Sequence, residues 1–251
     1  MLVSTFSSDA VSIADRERLW NEELRRFGVT TRPASEGAPV FASLVCRVSG
    51  AGMRFGRVAT CAQELCFALD RGAGFWFLRL LEGQASLAGG EAPVDLHEGQ
   101  IAYGMLGDRT RVNLRSDCRV LLIRAPEILL SPRLLVPLSL KSGRLVGKSG
   151  SRHILASMLT AVAEKIATLS DDDLGALELA LPEFMLVNLL DSVEKADGAE
   201  SGARLTAPLL RVCQAIEANL ADPDLDLAKV AAQQGVSERS DRKSTRLNSS
   251  H

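Results

Sequence analysis

Histidine is scarce in this chain: His97, His153 and His251 are the whole set, and no His-x-His pair occurs. Catalytic zinc sites draw heavily on clustered imidazoles, so this count argues against a metal enzyme. His97 precedes Glu98-Gly99 and reads as a loop histidine beside a turn. Cysteine is unpatterned as well. Cys46, Cys61, Cys66, Cys118 and Cys213 are odd in number and contain no Cys-x-x-Cys spacing, which argues against a disulfide framework. Neighbours such as Leu44-Val45 and Leu65 with Phe67 make them buried free thiols suited to a reducing compartment. Charge of one sign is missing too. The formal net charge is −2, so no overall basic field marks a nucleic-acid partner, although a basic patch on a small domain is compatible with that figure. No apolar run approaches the ~18 residues that a bilayer span needs. The start, Met1-Leu2-Val3-Ser4-Thr5, lacks the basic and apolar regions of a secretory signal, and a cytoplasmic protein is expected. The carboxylates Glu64, Asp70 and Glu82 share no common face by spacing and read as solvated strand ends. No cofactor and no enzymatic activity are expected.

What is present is 46% hydrophobic residues, enough for a large domain plus a smaller one. Residues 12–27 form an expected amphipathic helix. Ser12 with Asp15 resembles a capping box, Trp20, Leu24 and Phe27 share a face, and Gly28 stands at the stop. Period two follows. From Val40 to Val48 the even positions are apolar or small, and Thr110, Val112 and Leu114 alternate with Arg111, Asn113 and Arg115. The runs Gly74–Leu81 and Cys118–Ile123 fit further strands, and Ala88-Gly89-Gly90-Glu91 fits a tight turn. Many short strands between glycine turns predict an antiparallel barrel or sandwich over about residues 38–125. In the aromatic run, alternation sends Phe75 and Phe77 to one face and Trp76 to the other. Phe75 and Phe77 are candidates to line an effector pocket, with plain core packing the competing reading. Arg54, Arg57 and Arg79 are candidates to hold an anion, with solvent-facing strand arginines the alternative.

The period then becomes helical. Ile154, Leu155, Met158, Val162, Ile166 and Leu169 trace one amphipathic helix. A second is expected over about 171–194, opened by Asp171-Asp172-Asp173 at its N-terminus and kinked or divided by Pro182. These helices can pack on the strands or on a second subunit. Residues 196–205 begin with small polar residues and glycine and read as a linker. Another helix, about 206–221, buries Leu209, Leu210, Val212, Cys213, Ile216 and Leu220. Beyond Asp222-Pro223, the run from Asp226 to Ser240 has the form of a helix-turn-helix. Leu227 and Val230 face the core, Ala231 is small enough for two helices to cross, and Gly235 permits a left-handed turn. Val236 plugs the crossing and Ser237 suits an N-cap. Ser237, Glu238, Arg239 and Ser240 would then stand at the groove-facing start of a recognition helix. A plain helical hairpin ended by glycine produces the same pattern, so both readings stand on spacing alone.

The run Leu227-Ala228-Lys229-Val230-Ala231 with Gly235-Val236-Ser237-Glu238-Arg239-Ser240 resembles the first helix-turn-helix of AraC/XylS-type regulators. Phe6-Ser7-Ser8-Asp9-Ala10 with Arg18-Leu19-Trp20 resembles the start of their sensor domain. The resemblance covers about residues 5–240. It implies an α+β protein: an N-terminal cupin-like antiparallel β-barrel with a helical dimerisation segment (1–195), the linker 196–205, and an all-α DNA-binding domain of which 206–240 is a part. It further implies double-stranded promoter DNA as partner, a homodimer, a possible small-molecule effector and no membrane. The rival reading is a cupin-type small-molecule-binding or enzymatic barrel with a helical appendage, which the histidine count disfavours.

Residues 241–251 break the pattern. The family places apolar side chains where this chain has Asp241 and Thr245, and a carboxylate in that helix–helix seam would lose water without a partner. One codon choice for Asp241–His251 spells a common short-read sequencing adapter. The tail is therefore expected to be artefactual, its basic residues no DNA-binding arm, and the chain as written is expected to bind its operator poorly.

Overall fold

A computed structural model describes residues 3–33, 40–67, 74–89, 93–130, 142–145 and 150–196. The chain begins with β1 (Ser4–Ser7), a single 3-10 turn at Ser8–Ala10, and α1 (Ile13–Arg25). At its start the Ser12 hydroxyl donates to the Asp15 carboxylate at 2.8 Å and caps no backbone N–H, so the two residues pair side chain to side chain where a capping box was expected. The stop is as expected. Gly28 has φ +76°, its N–H reaches the Arg25 carbonyl, and Val29 N–H reaches back to Leu24, a Schellman closure.

The strands are β2 (Thr30–Pro33), β3 (Ala42–Val48), β4 (Arg54–Thr60), β5 (Gln63–Cys66), β6 (Gly74–Glu82), β7 (Ala85–Ala88), β8 (Val94–Leu96), β9 (Ile101–Met105), β10 (Arg111–Leu114), β11 (Cys118–Pro126) and β12 (Gly143–Arg144). One sheet has the order β1-β3-β4-β11-β6-β9-β12 and the other β2-β5-β10-β7-β8. All their pairings are antiparallel. The expected closed barrel is thus corrected: the described strands form two separate sheets sharing one core. Hydrophobic alternation demands a buried face on each strand, and two facing sheets satisfy that without ring closure.

Inward residues of the first sheet (Leu44, Val58, Trp76, Leu78, Val120, Leu122) meet Leu65, Leu87, Val112 and Leu114 of the second. Trp20 and Leu24 of α1, with Phe27 beyond it, enter the same core. Gly56 makes room for Phe27, because a Cβ there would fall 2.6 Å from Phe27 Cζ and 3.0 Å from Leu44 Cδ1.

After β11 come α2 (Glu127–Leu130), α3 (Gly150–Lys165) and α4 (Asp171–Ala196). In α3 the buried stripe is Leu155, Leu159, Val162 and Ala163, continuing to Ile166, whereas Ile154, expected on that face, is 47% exposed. Leu159, i+4 from Leu155, lies on the buried stripe. Pro182 neither divides nor ends α4. Proline removes one backbone bond, while Leu181, Met185, Leu186 and Leu189 bury a continuous face on both sides of it. The helix also runs through Ala196, where the linker was expected to start.

Helices α3 and α4 cover the outer face of the seven-stranded sheet. From that face Arg57 Nη1 donates to the Ala163 carbonyl of α3 at 3.1 Å, and Arg47 Nη2 to Asp171 Oδ1 of α4 at 3.0 Å.

Candidate functional site

The helix-turn-helix residues Leu227, Val230, Ala231, Gly235 and Val236, and the groove-facing Ser237, Glu238, Arg239 and Ser240, lie outside the described residues. So do the rest of the linker 196–205, the helix expected at 206–221 and the tail 241–251. Phe75 and Phe77 are described. Alternation along β6 places them opposite Trp76, Leu78 and Leu80, which belong to the inter-sheet core. Phe77 pairs with Ile123 on one side and Tyr103 on the other, and Phe55 stands beyond Ile123. This row on the outer face is covered, with Phe75 3% and Phe77 1% exposed. They do not border either of the two cavities described below; packing under the helices is what their burial supports.

On the inner face Trp76 stacks on Phe67, centroids 3.9 Å apart and planes at 19°. Its indole N–H is buried without a hydrogen-bond partner. Gly104 is opposite Trp76 in register, and a Cβ there would stand 2.7 Å from the indole Cζ2 and Nε1. Close by, Thr110 Oγ1 and Ser142 Oγ share a hydrogen bond of 2.6 Å.

Among the cavities lined by described residues, two stand out by their charged linings. One, of about 410 Å³, opens where β1, β3, β4 and β11 end, against Asp9, Thr60, Cys61, Glu82, Asp117 and Arg119. Arg119 and Glu82 form an ion pair there. The other, of about 340 Å³, lies where the β9–β12 edge meets α3, between Glu98, Gly99, Gln100, Arg144, Arg152 and Ala156. Arg152 is 9% exposed, and burial pulls its guanidinium below the ordinary arginine value while the Asp191 carboxylate opposes that shift. Its Nη2 donates to Asp191 Oδ2 at 3.2 Å and Ser192 Oγ at 3.3 Å. Arg144 Nη1 donates to the Asp95 carbonyl at 3.1 Å and to Gln100 Oε1 at 3.2 Å. Arg79, half-buried on β6, donates through Nη1 to the Gly99 carbonyl at 3.1 Å, so it backs the cavity wall.

Of the strand arginines singled out from sequence, Arg79 adjoins this cavity and Arg57 is spent on α3. Arg144 and Arg152 were missed. A signal existed for the second: Arg152 lies three residues before Leu155 on the apolar stripe of α3, a place where a cation must be buried. Among the described residues no group of three or more His, Cys, Asp and Glu side chains comes together to hold a metal ion. His97 is exposed, its N–H on Gln100 Oε1 at 2.9 Å, and Gly99 turns with φ +81°. No described helix is long and apolar enough to cross a membrane.

No family model and no curated protein matches the chain. Among solved structures it is similar to the AraC-like transcriptional activator CuxR, with a TM-score of 0.61 and 14% identity, over 94% of this chain and 85% of that one. That likeness shows the fold. Slighter likenesses are to ToxT from Vibrio cholerae O395 (TM-score 0.35, 10% identity, 86% of this chain and 73% of that one) and to an RmlC-like cupin protein from Desulfovibrio desulfuricans (0.29, 20%, 32% and 78%). Neither of these two carries the argument.

Proposed function

We propose that the chain is a sequence-specific, DNA-binding transcription regulator of the AraC type, a cytoplasmic homodimer without catalytic activity whose two-sheet unit responds to a small molecule. The observation that carries this reading is the fold shared with the AraC-like activator CuxR over 94% of the chain. The sequence from Asp226 to Ser240 supports it, since it has the form that a groove-reading helix pair requires. In this reading Leu227, Val230, Ala231, Gly235 and Val236 set the crossing, and Ser237, Glu238, Arg239 and Ser240 meet the DNA. Arg239 is the residue suited to guanine in the major groove or to a phosphate.

The test is an electrophoretic mobility shift with promoter fragments from upstream of the gene. The protein carries whatever the resequenced locus encodes after Ser240, and the 251-residue chain is run beside it. Specific retention that weakens with added salt, as counterion release demands, and that Arg239→Ala lowers, supports the reading. Absence of any specific retention by the locus-encoded protein overturns it. Tight specific binding by the 251-residue chain would instead overturn the expectation for Asp241–His251.

A further inference from the structure

We infer that the cavity between the β9–β12 edge and α3 binds a small molecule through an oxyanion, a carboxylate or a phosphate, held by Arg144 and Arg152 with Arg79 behind the wall. Its volume, about 340 Å³, falls within the range of ~300–1,000 Å³ usual for small-molecule pockets.

The first argument is an unfinished guanidinium. Arg152 is nine-tenths buried, yet only its Nη2 is engaged, on Asp191 and Ser192. Its Nε and Nη1 are buried without a hydrogen-bond partner. Arginine presents a rigid fork of donors that suits carboxylate and phosphate oxygens, and buried donors are ordinarily paired. Arg79 repeats the feature: its Nη1 holds the Gly99 carbonyl of the wall while its Nε is buried and unpaired.

The second argument is charge. Arg144 borders the cavity, and among the described residues its acceptors are neutral, the Asp95 carbonyl and Gln100 Oε1. Three carboxylates stand around it: Glu98 also lines the cavity, with Oε1 accepting the Gly83 N–H at 3.1 Å, Asp95 pairs with Arg115 at 2.9 Å, and Asp191 holds Arg152 Nη2. Burial draws the guanidiniums of both Arg79 and Arg152 below their ordinary value, the mark of cations short of solvent. An oxyanion reaching this corner meets the Arg144 and Arg152 guanidiniums through charge-assisted bonds of the strong kind.

As an effector site the cavity deepens the regulator reading and rests on it; as an anion site it stands without it. Binding is therefore measured without DNA, by isothermal titration of the full chain with inorganic phosphate and, separately, with citrate, at constant ionic strength and against a chloride control. The two probes distinguish a phosphate site from a carboxylate site. Arg144→Gln removes a cation at the rim. Ala156→Leu fills the cavity at unchanged charge, and Arg152 is left in place because its loss strands Asp191. Saturable binding of one probe, weakened about tenfold or more by each substitution while circular dichroism stays unchanged, is the expected result. Absence of saturable binding of both probes overturns the inference, and so does binding that neither substitution weakens. Should one variant unfold, the other and the wild-type titration still decide.

Discussion

The indole N–H of Trp20 donates to the side-chain oxygen of Gln63 at 3.1 Å, and both residues are buried, Trp20 completely. The amide nitrogen of Gln63 in turn donates to Thr60 Oγ1. One glutamine thus joins α1, the end of β4 in the seven-stranded sheet and the start of β5 in the other. Gln63→Leu is expected to leave the indole donor and the threonine hydroxyl buried without partners, at a cost of about 1–3 kcal/mol. Urea unfolding followed by tryptophan fluorescence reads the loss; an unchanged midpoint would show that the bridge contributes nothing.

Much of this fold is legible from residue order alone. The alternation of Val40 to Val48 marks β3, and its even positions Ala42, Leu44 and Cys46 do enter the core. The same rule places Val112 and Leu114 of β10 inward and leaves Arg111 exposed. Alternation tells which side chains share a face, however, and not which face becomes the inside of a two-sheet unit. Phe75 and Phe77 are buried, as are Trp76 and Leu78, because helices cover the back of the sheet. An apolar pattern on both faces therefore cannot distinguish pocket from packing. Arg144 and Arg152 were harder still. They come together through β12 and α3, elements whose juxtaposition depends on long-range pairing of Gly143 with Tyr103. That pairing tolerates little else, since a Cβ at Gly143 would stand 2.9 Å from the Tyr103 hydroxyl.

Cys66 and Glu64 lie two residues apart on β5, on one face of the strand, and the thiol donates to Glu64 Oε1 at 3.2 Å. Burial, and after it this carboxylate, pushes the Cys66 thiol from an ordinary 9.0 up to about 11. Alkylation proceeds through the thiolate, so Cys66 is expected to react slowly at neutral pH. Glu64→Gln removes the negative neighbour but not the burial, and is expected to lower the value part of the way. Iodoacetamide labelling across pH, followed at the Cys66 peptide by mass spectrometry, checks this. Superimposable pH profiles for wild type and variant would remove the carboxylate from the explanation.

At the start of α4, Ser170 and Asp173 cap each other. Asp173 N–H donates to Ser170 Oγ at 3.1 Å, while the Ser170 N–H and hydroxyl donate to Asp173 Oδ2 at 2.8 and 2.7 Å. The serine hydroxyl first, and its backbone N–H second, hold the Asp173 carboxyl below its ordinary 3.8. A depressed carboxyl contributes stability that is present above the unfolded value and fades as pH falls through the folded one. Ser170→Ala should therefore move the Asp173 titration upward and raise the pH at which acid unfolding begins. Carboxyl carbon shifts in an NMR titration read the first effect and circular dichroism the second; an Asp173 titration unmoved by the substitution would mean that the hydroxyl does not set it.

Phe77 offers the sharpest choice between pocket and packing. It is 1% exposed in a row with Ile123 and Tyr103, on the face from which Arg57 and Arg47 reach α3 and α4. If it fills the seam between sheet and helices, Phe77→Ala opens a void that rigid neighbours close only in part, and a loss of about 3–5 kcal/mol follows. Against the ~5–15 kcal/mol that holds a typical domain together, such a loss lowers the denaturation midpoint strongly. A side chain lining an effector cavity behaves differently, because its truncation enlarges space already empty and shows up in ligand affinity first. Guanidinium unfolding of Phe77→Ala beside titration with phosphate and citrate separates the two. A stability close to wild type with altered probe binding would return Phe77 to the ligand site, whereas a large drop in midpoint places it in the seam that fixes α3, and with it Arg152, against the sheet edge.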